Sequence, residues 1–197
     1  MAAPTCIASF LSAPQCRDLR AEIDAAHQEQ VQIWRGDAFA VDDEGRRGAI
    51  AQLSGASEDL VQDRLWEVMP SLEQRFGCEI THISGVTALI YDRGDHFAAH
   101  SDGGGHDDAP AEVRRRRVSL VIALNDGAGE RPEFTGGELE FFDAAVPAAA
   151  DGSEPVTVVR SSPGLLIAFR SSMIHRVAPI IGGRRYSLAL WALARGG

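Results

Sequence analysis

The chain contains no lysine: all nineteen basic residues are arginine. With the richness in alanine and glycine, this points to codon bias in a GC-rich bacterial coding sequence and carries no function. Cysteine is scarce, and Cys6, Cys16 and Cys78 form an odd set without a CxxC pair. Neither a disulfide framework nor a cysteine zinc site is indicated, and buried free thiols are expected. Long apolar runs are missing too. None approaches the roughly 18–20 residues of a membrane span, and MAAPTCIASFLSAPQC lacks the positive leading region of a secretory signal, so no membrane partner and a cytoplasmic location are expected. Positive charge is in deficit, with a net charge of -9 and a pI near 5.1, which disfavours a nucleic-acid partner that must be gripped through many phosphates. There are no useful internal repeats. What is present is ordinary for a folded protein, 45% hydrophobic and 24% charged residues, and 197 residues suit one domain with a sizeable core.

The pattern divides the chain near residue 78. Ser12-Ala13-Pro14-Gln15 is a capping-box start with an early proline, and the amphipathic run behind it predicts a helix to about His27. A second helix is predicted from near Ser57, with Leu65, Val68, Leu72 and Phe76 at spacings of three and four, a kink at Pro70 and a stop at Gly77. Between them, IWRGDAFAVDDEGRRGAIAQLSG has turn signals around short apolar pieces and reads as a hairpin with a mobile tip. Beyond residue 78 the runs 80–91, 118–124, 138–142, 156–160, 165–169 and 186–193 read as short strands separated by turn residues, as in a sandwich or barrel. The stretch 143–155 is a low-complexity surface excursion.

One stretch carries chemistry. In YDRGDHFAAHSDGGG, His100 and Asp102 stand at i and i+2, a spacing that puts both side chains on one side of an extended strand. Two ligands hold a catalytic metal poorly, and His175 in SSMIHRVAPI, 73 residues after Asp102, is the best remaining third. Two imidazoles and a carboxylate are the facial triad of non-haem Fe(II) oxygenases, which leaves open positions for co-substrate and dioxygen. Zinc generally takes fewer ligands and has no redox chemistry. Ten residues after His175 stands Arg185, followed two later by Ser187 on the same strand face, an arrangement suited to clamping a carboxylate. HxD alone is a weak signal, common in solvated turns.

The motifs occur together and in order: Tyr91-x-x-Gly94-x-x-Phe97-x-x-His100-x-Asp102, then 118–125 (VSLVIALN), Thr135-Gly136-Gly137-Glu138-Leu139, Pro163-Gly164-Leu165, His175-x-Val177-x-Pro179, and Gly183-x-Arg185-Tyr186-Ser187 with Trp191. In this order they resemble the Fe(II)/2-oxoglutarate-dependent dioxygenases of the prolyl 4-hydroxylase type. The resemblance implies a mainly β fold with flanking α-helices: a double-stranded β-helix, or jelly roll, over residues 79–197, with helical support and a hairpin lid from 1–78. It implies that His100, Asp102 and His175 bind iron and that Arg185 pairs with the distal carboxylate of 2-oxoglutarate. Tyr91, Ser187 and Trp191 would line the co-substrate pocket. Phe97 and Ala123 stand where relatives often have tyrosines, and Ser187 or water would replace the lost hydrogen bond.

The resemblance further implies Fe(II), 2-oxoglutarate and O2 as cofactors, with ascorbate as a stimulatory reductant, and succinate and CO2 as co-products. Asp102 as a carboxylate ligand argues for hydroxylation, because related halogenases leave that position free for chloride. The expected substrate is a small molecule such as an amino acid or natural-product intermediate, hydroxylated at an unactivated C–H. The alternatives are a prolyl or other residue of a protein, or a non-catalytic cupin-like binding jelly roll. A nucleic-acid demethylase is disfavoured by the acidic charge and the ten-residue spacing. His96 is a candidate substrate contact, Arg46 and Arg47 are candidates for a closing lid, and the run Arg114 to Arg117 is a candidate for attracting an anion, against the plainer reading of wet loops and solvated charge. His82 and His106 are weaker candidates, and His27 is expected on the polar face of the first helix. Gly103 to Gly105 are expected to open the loop over the site.

Overall fold

A computed structural model describes residues 3–34, 39–103, 109–143 and 154–194. The first helix, α1 (Ala13–Ala25), forms where its capping box lies: Ser12 Oγ accepts the Gln15 amide and Gln15 Oε1 accepts the Ser12 amide, which satisfies two otherwise unpaired donors. It buries Cys16, Leu19 and Ile23. His27 lies beyond its C-cap, Ala26, and so is not on the helix face expected of it. The second helix, α2 (Gly55–Phe76), starts behind the Ser54 cap and ends at Gly77, whose φ of 62° is the left-handed turn that glycine adopts without a Cβ clash. It runs on across Pro70, held by the buried side chains Val61, Leu65, Met69, Leu72 and Phe76. A short α3 (Ala111–Arg115) precedes the central strands.

The strands form two principal antiparallel sheets. The larger runs, in spatial order, β1 (Thr5–Ile7), β14 (Leu166–Arg170), β10 (Arg116–Ala123), β17 (Arg185–Leu193), β8 (Thr87–Tyr91), β6 (Ala49–Ala51) and β2 (Gln28–Gln30), with β7 (His82–Ile83) paired to the far end of β17. The smaller runs β13 (Thr157–Val159), β12 (Leu139–Phe141), β15 (His175–Val177), β9 (His96–His100) and β5 (Arg46–Arg47). Two small ladders join β11 (Phe134–Gly136) to β16 (Ile180–Gly183) and β3 (Ile33–Trp34) to β4 (Phe39–Ala40). This is the jelly-roll arrangement anticipated from the motifs, with the run 80–91 divided at Gly85 into β7 and β8. Among the described residues no helix is long and apolar enough to cross a membrane.

Strand periodicity sets the two faces of the larger sheet. Val118, Leu120 and Ile122 of β10, Tyr186, Leu188 and Leu190 of β17, and Ala88 and Ile90 of β8 pack in one core with Leu19 and Ile23 of α1 and Leu65 and Leu72 of α2. Their neighbours Ser119, Arg185, Ser187 and Tyr91 therefore face the smaller sheet. The two sheets meet through Leu139, Phe141, Ile167, Phe169 and Val177.

The segment 33–55 departs from the expected hairpin. Ile33 pairs with Ala40, but β5 pairs with β9 in the smaller sheet and β6 with both β2 and β8 in the larger one. Arg46 and Arg47 are thus in a strand opposite Phe97 and His96, not at a hairpin tip, because their backbone is needed to complete the edge of β9. Residues 35–38 of this segment lie outside the described residues, as do Gly104, Gly105 and His106.

Candidate metal centre and co-substrate pocket

A register shift in one ladder brings the triad together. His175 pairs with His100, but Val177 pairs with Phe97, so three steps along β9 match two along β15. Such a bulge turns both Phe97 and His100 inward although they stand an odd three positions apart. Their rings stack at 3.5 Å with an interplanar angle of 17°. Just past β9, the amides of Asp102 and Gly103 both donate to the Ser171 carbonyl, which fixes the carboxylate beside the imidazoles. One oxygen of Asp102 lies 3.4 Å from His100 Nε2 and the other 3.6 Å from His175 Nε2. Among the described residues this is the His/Cys/Asp/Glu cluster whose ligand atoms all fall within 4.8 Å of one another.

The second ring nitrogens are also accounted for. His100 Nδ1 donates to the Ala98 carbonyl at 2.8 Å and His175 Nδ1 to the Met173 carbonyl at 2.9 Å. A carbonyl only accepts, so Nδ1 carries the proton on both rings and both Nε2 lone pairs point to the centre, the orientation a metal requires. Ser119 Oγ donates to Asp102 at 2.6 Å and is itself backed by Ser171 Oγ at 3.1 Å. Burial pushes the Asp102 carboxyl upward, but the imidazoles of His175 and His100 and the Ser119 hydroxyl outweigh it and hold the group well below the usual carboxylate range. Burial, with the neighbouring His100, depresses His175 to about 4. At neutral pH the centre therefore offers a neutral imidazole at His175 and a carboxylate, the protonation states that ligate. This N,N,O donor set fits Fe(II).

Arg185 stands across the cavity. Only 1% exposed, it is among the largest fully buried side chains. Its Nη1 donates to Ser187 Oγ at 2.7 Å, its Nε has no partner, and no carboxylate lies within ion-pair distance among the described residues. Burial pulls its pKa down, and nearby Tyr91 opposes that. A buried guanidinium without a counter-ion is costly unless a ligand supplies the charge. The chain fixes it tightly: Asn125 accepts the Tyr186 amide and donates to the Arg184 carbonyl, gripping the backbone on both sides. Gly137, at φ 68°, packs on the Arg185 stem, where an added Cβ would lie 2.3 Å from Ile180 Cδ1 and 3.1 Å from Arg185 Cδ. That contact gives the Thr-Gly-Gly motif its physical reason.

The His100, Asp102 and His175 cluster and the Arg185–Ser187 pair line one cavity of about 770 Å³. Residues 86–193, more than half of the chain, match the family model of the 2OG-Fe(II) oxygenase superfamily. The chain belongs to this superfamily. It is 26% identical to a PKHD-type hydroxylase of Acidovorax ebreus (strain TPSY) over 94% of this chain and 75% of that one. A Pseudomonas putida prolyl-4-hydroxylase structure is 26% identical, with a TM-score of 0.72 over 98% of this chain and 93% of that one. A Trichoplax adhaerens prolyl hydroxylase in complex with a hypoxia-inducible-factor peptide fragment shares the fold, with a TM-score of 0.67 over 96% and 83% of the two chains at 19% identity. The protein is thus a 2-oxoglutarate-dependent dioxygenase of the prolyl 4-hydroxylase type, served by Fe(II), 2-oxoglutarate and O2.

The remaining candidates of this oxygenase separate cleanly. Tyr91 is buried and its hydroxyl accepts from Arg46 Nη2 at 3.4 Å. Trp191 lines the cavity beneath Arg116, whose guanidinium lies 3.6 Å from the ring centroid and reaches the Asp102 carbonyl. The other arginines of that run bond to backbone carbonyls. Arg114 and Arg115 donate to the carbonyls of Ala109 and Ala194, and Arg117 to those of Arg114 and Arg116. His96 lies against the carbonyls of Gly94 and Glu44 and does not line the cavity, while His82 is exposed in β7. Ser119 and Ser171 were not read from the sequence. Only the knowledge that Ser119 alternates with core residues of β10 would have pointed to it.

Proposed function

We propose that His100, Asp102 and His175 hold the Fe(II) of this oxygenase, that Arg185 with Ser187 binds the distal carboxylate of 2-oxoglutarate, and that the enzyme hydroxylates a C–H bond of a small molecule. The observation that carries the reading is the pairing, in one cavity, of three converging ligand atoms with a buried cation that has no counter-ion among the described residues. Iron, when bound, supplies activation of dioxygen and oxidative decarboxylation of 2-oxoglutarate. The balance is one substrate C–H, one O2 and one 2-oxoglutarate giving C–OH, succinate and CO2.

The chain's own residues orient and shield. The Nδ1 bonds to Ala98 and Met173 keep both imidazoles in the ligating tautomer, and Ser119 holds the Asp102 carboxylate. Arg185 fixes the co-substrate at its far end, so that its keto-acid end is presented to the metal side of the cavity. The Tyr91 hydroxyl, buried on the wall of the same cavity, supplies a further polar contact for the co-substrate. Phe97, Phe141 and Phe169 surround the imidazoles with apolar surface, which excludes water. Arg116 and Trp191 form a wall of the space left for the primary substrate.

A second reading, hydroxylation of a prolyl residue in a peptide, draws on the similarity to the Pseudomonas putida prolyl-4-hydroxylase across nearly the whole chain. Succinate release in the presence of Fe(II) and 2-oxoglutarate tests both. Release stimulated by members of an amino-acid and metabolite panel supports the first, and a gain of one oxygen on lysate proteins by mass spectrometry supports the second. No release with either set counts against both.

A further inference from the structure

Three guanidinium groups face the cavity: Arg46, Arg116 and Arg185. In each, the Nε is buried without a hydrogen-bond partner among the described residues. Among the described residues, none of the three has a carboxylate within ion-pair distance. The acidic ones among the described residues on the cavity wall are Asp102, taken up by the triad, and Glu29, which is exposed. Bound Fe(II) and the 2-oxoglutarate dianion would cancel one another, and Asp102 offsets one arginine. Positive charge therefore remains in a cavity of a protein whose net charge is -9. Uncompensated cations beside a low-dielectric pocket focus the field on an incoming anion.

Arg46 is the cation that the co-substrate leaves unexplained. It sits on β5, over the Phe97 ring at 4.3 Å from Cζ to centroid, and Phe97 in turn stacks on the ligand His100. Its one side-chain hydrogen bond among the described residues is the long one to Tyr91 Oη, at 3.4 Å. Its neighbour Arg47 is exposed and paired with Asp95 at 3.2 Å. The strand thus spends one arginine on an ordinary surface ion pair and turns the other inward without a counter-ion. Resting on the oxygenase reading above, we propose that Arg46 is the anion-recognition residue of the primary-substrate subsite, and that the substrate is a small molecule bearing a carboxylate. Stacking on Phe97 holds the guanidinium plane so that its free Nη donors can form charge-assisted hydrogen bonds with the acid group. Arg116 on Trp191 adds a second cationic wall.

The test uses the full-length enzyme loaded with Fe(II) and 2-oxoglutarate under anaerobic conditions. It is titrated with matched pairs of free amino acids and their carboxamides, such as proline with prolinamide and leucine with leucinamide, and binding is followed by tryptophan fluorescence. At least one acid is expected to bind, with its amide about tenfold or more weaker. R46Q should weaken that acid by about tenfold or more while the KM for 2-oxoglutarate in uncoupled turnover stays within about twofold. R46K should restore part of the loss, and R47Q should match the parent enzyme. Equal binding of acid and amide, no binding by any acid of the panel, or an R46Q effect confined to 2-oxoglutarate overturns the proposal. An enzyme that binds neither iron nor 2-oxoglutarate overturns the oxygenase reading itself, a failure visible before any substrate is added.

Discussion

His175 meets Asp102 across 73 residues of chain because the β9–β15 ladder sets it opposite His100, and each ligand side chain is then locked by a second bond. The two positions of the HxD pair were legible because strand period alone puts them on one side. His175 and Arg185 needed the order of several motifs. Ser119 and Ser171 were not legible, since a serine in an apolar run has no signature until its facing is known. Replacing a ligand, as in His175→Ala, should abolish stoichiometric iron binding and turnover. Ser119→Ala should weaken iron by about 10–100-fold, the usual effect of losing a partner of a ligand, measurable by anaerobic titration. Arg185→Gln should raise the KM for 2-oxoglutarate by about thirtyfold or more, as expected when a buried charge loses its partner. Iron affinity without co-substrate should hold.

At the scale of elements, the two long helices α1 and α2 were legible from their caps and spacing, whereas the short α3 and the two- and three-residue strands of the N-terminal segment were not. Arg46 and Arg47 sit in so short a strand that turn signals around them dominate the pattern, and only pairing with β9 reveals the edge. The glycine motif was legible as a motif, but its reason lies in a contact between elements: Gly137 at φ 68° touches β16 and the Arg185 stem. Gly137→Ala combines a left-handed backbone with that clash. It should cost about 1–3 kcal/mol of stability, read as a lower denaturant midpoint, and should raise the KM for 2-oxoglutarate through the displaced arginine.

Across the whole molecule, one face of the larger sheet carries the core and the other the chemistry, so the two respond to different insults. Leu188→Ala, fully buried against the helices, should destabilise the protein by about 2–5 kcal/mol while the folded fraction keeps its iron stoichiometry. Acid acts on the other face. In the metal-free protein His175 is held at about 4 against an ordinary 6.5, so between those values the unfolded chain binds a proton that the folded chain refuses. Asp102, held below its usual range, extends the loss at still lower pH by the same sign. Stability of the metal-free protein should therefore fall as pH is lowered from about 6.5 to 4, and chemical denaturation across that range checks it.

The central claim is that triad and arginine clamp work as one site, and anaerobic titration of Fe(II) with and without 2-oxoglutarate tests it most directly. The account predicts one equivalent of iron per chain, tighter when 2-oxoglutarate is present, with the iron lost in Asp102→Ala and His175→Ala and the co-substrate effect lost in Arg185→Gln. Iron binding that survives both ligand substitutions, or a 2-oxoglutarate effect indifferent to Arg185, would contradict it.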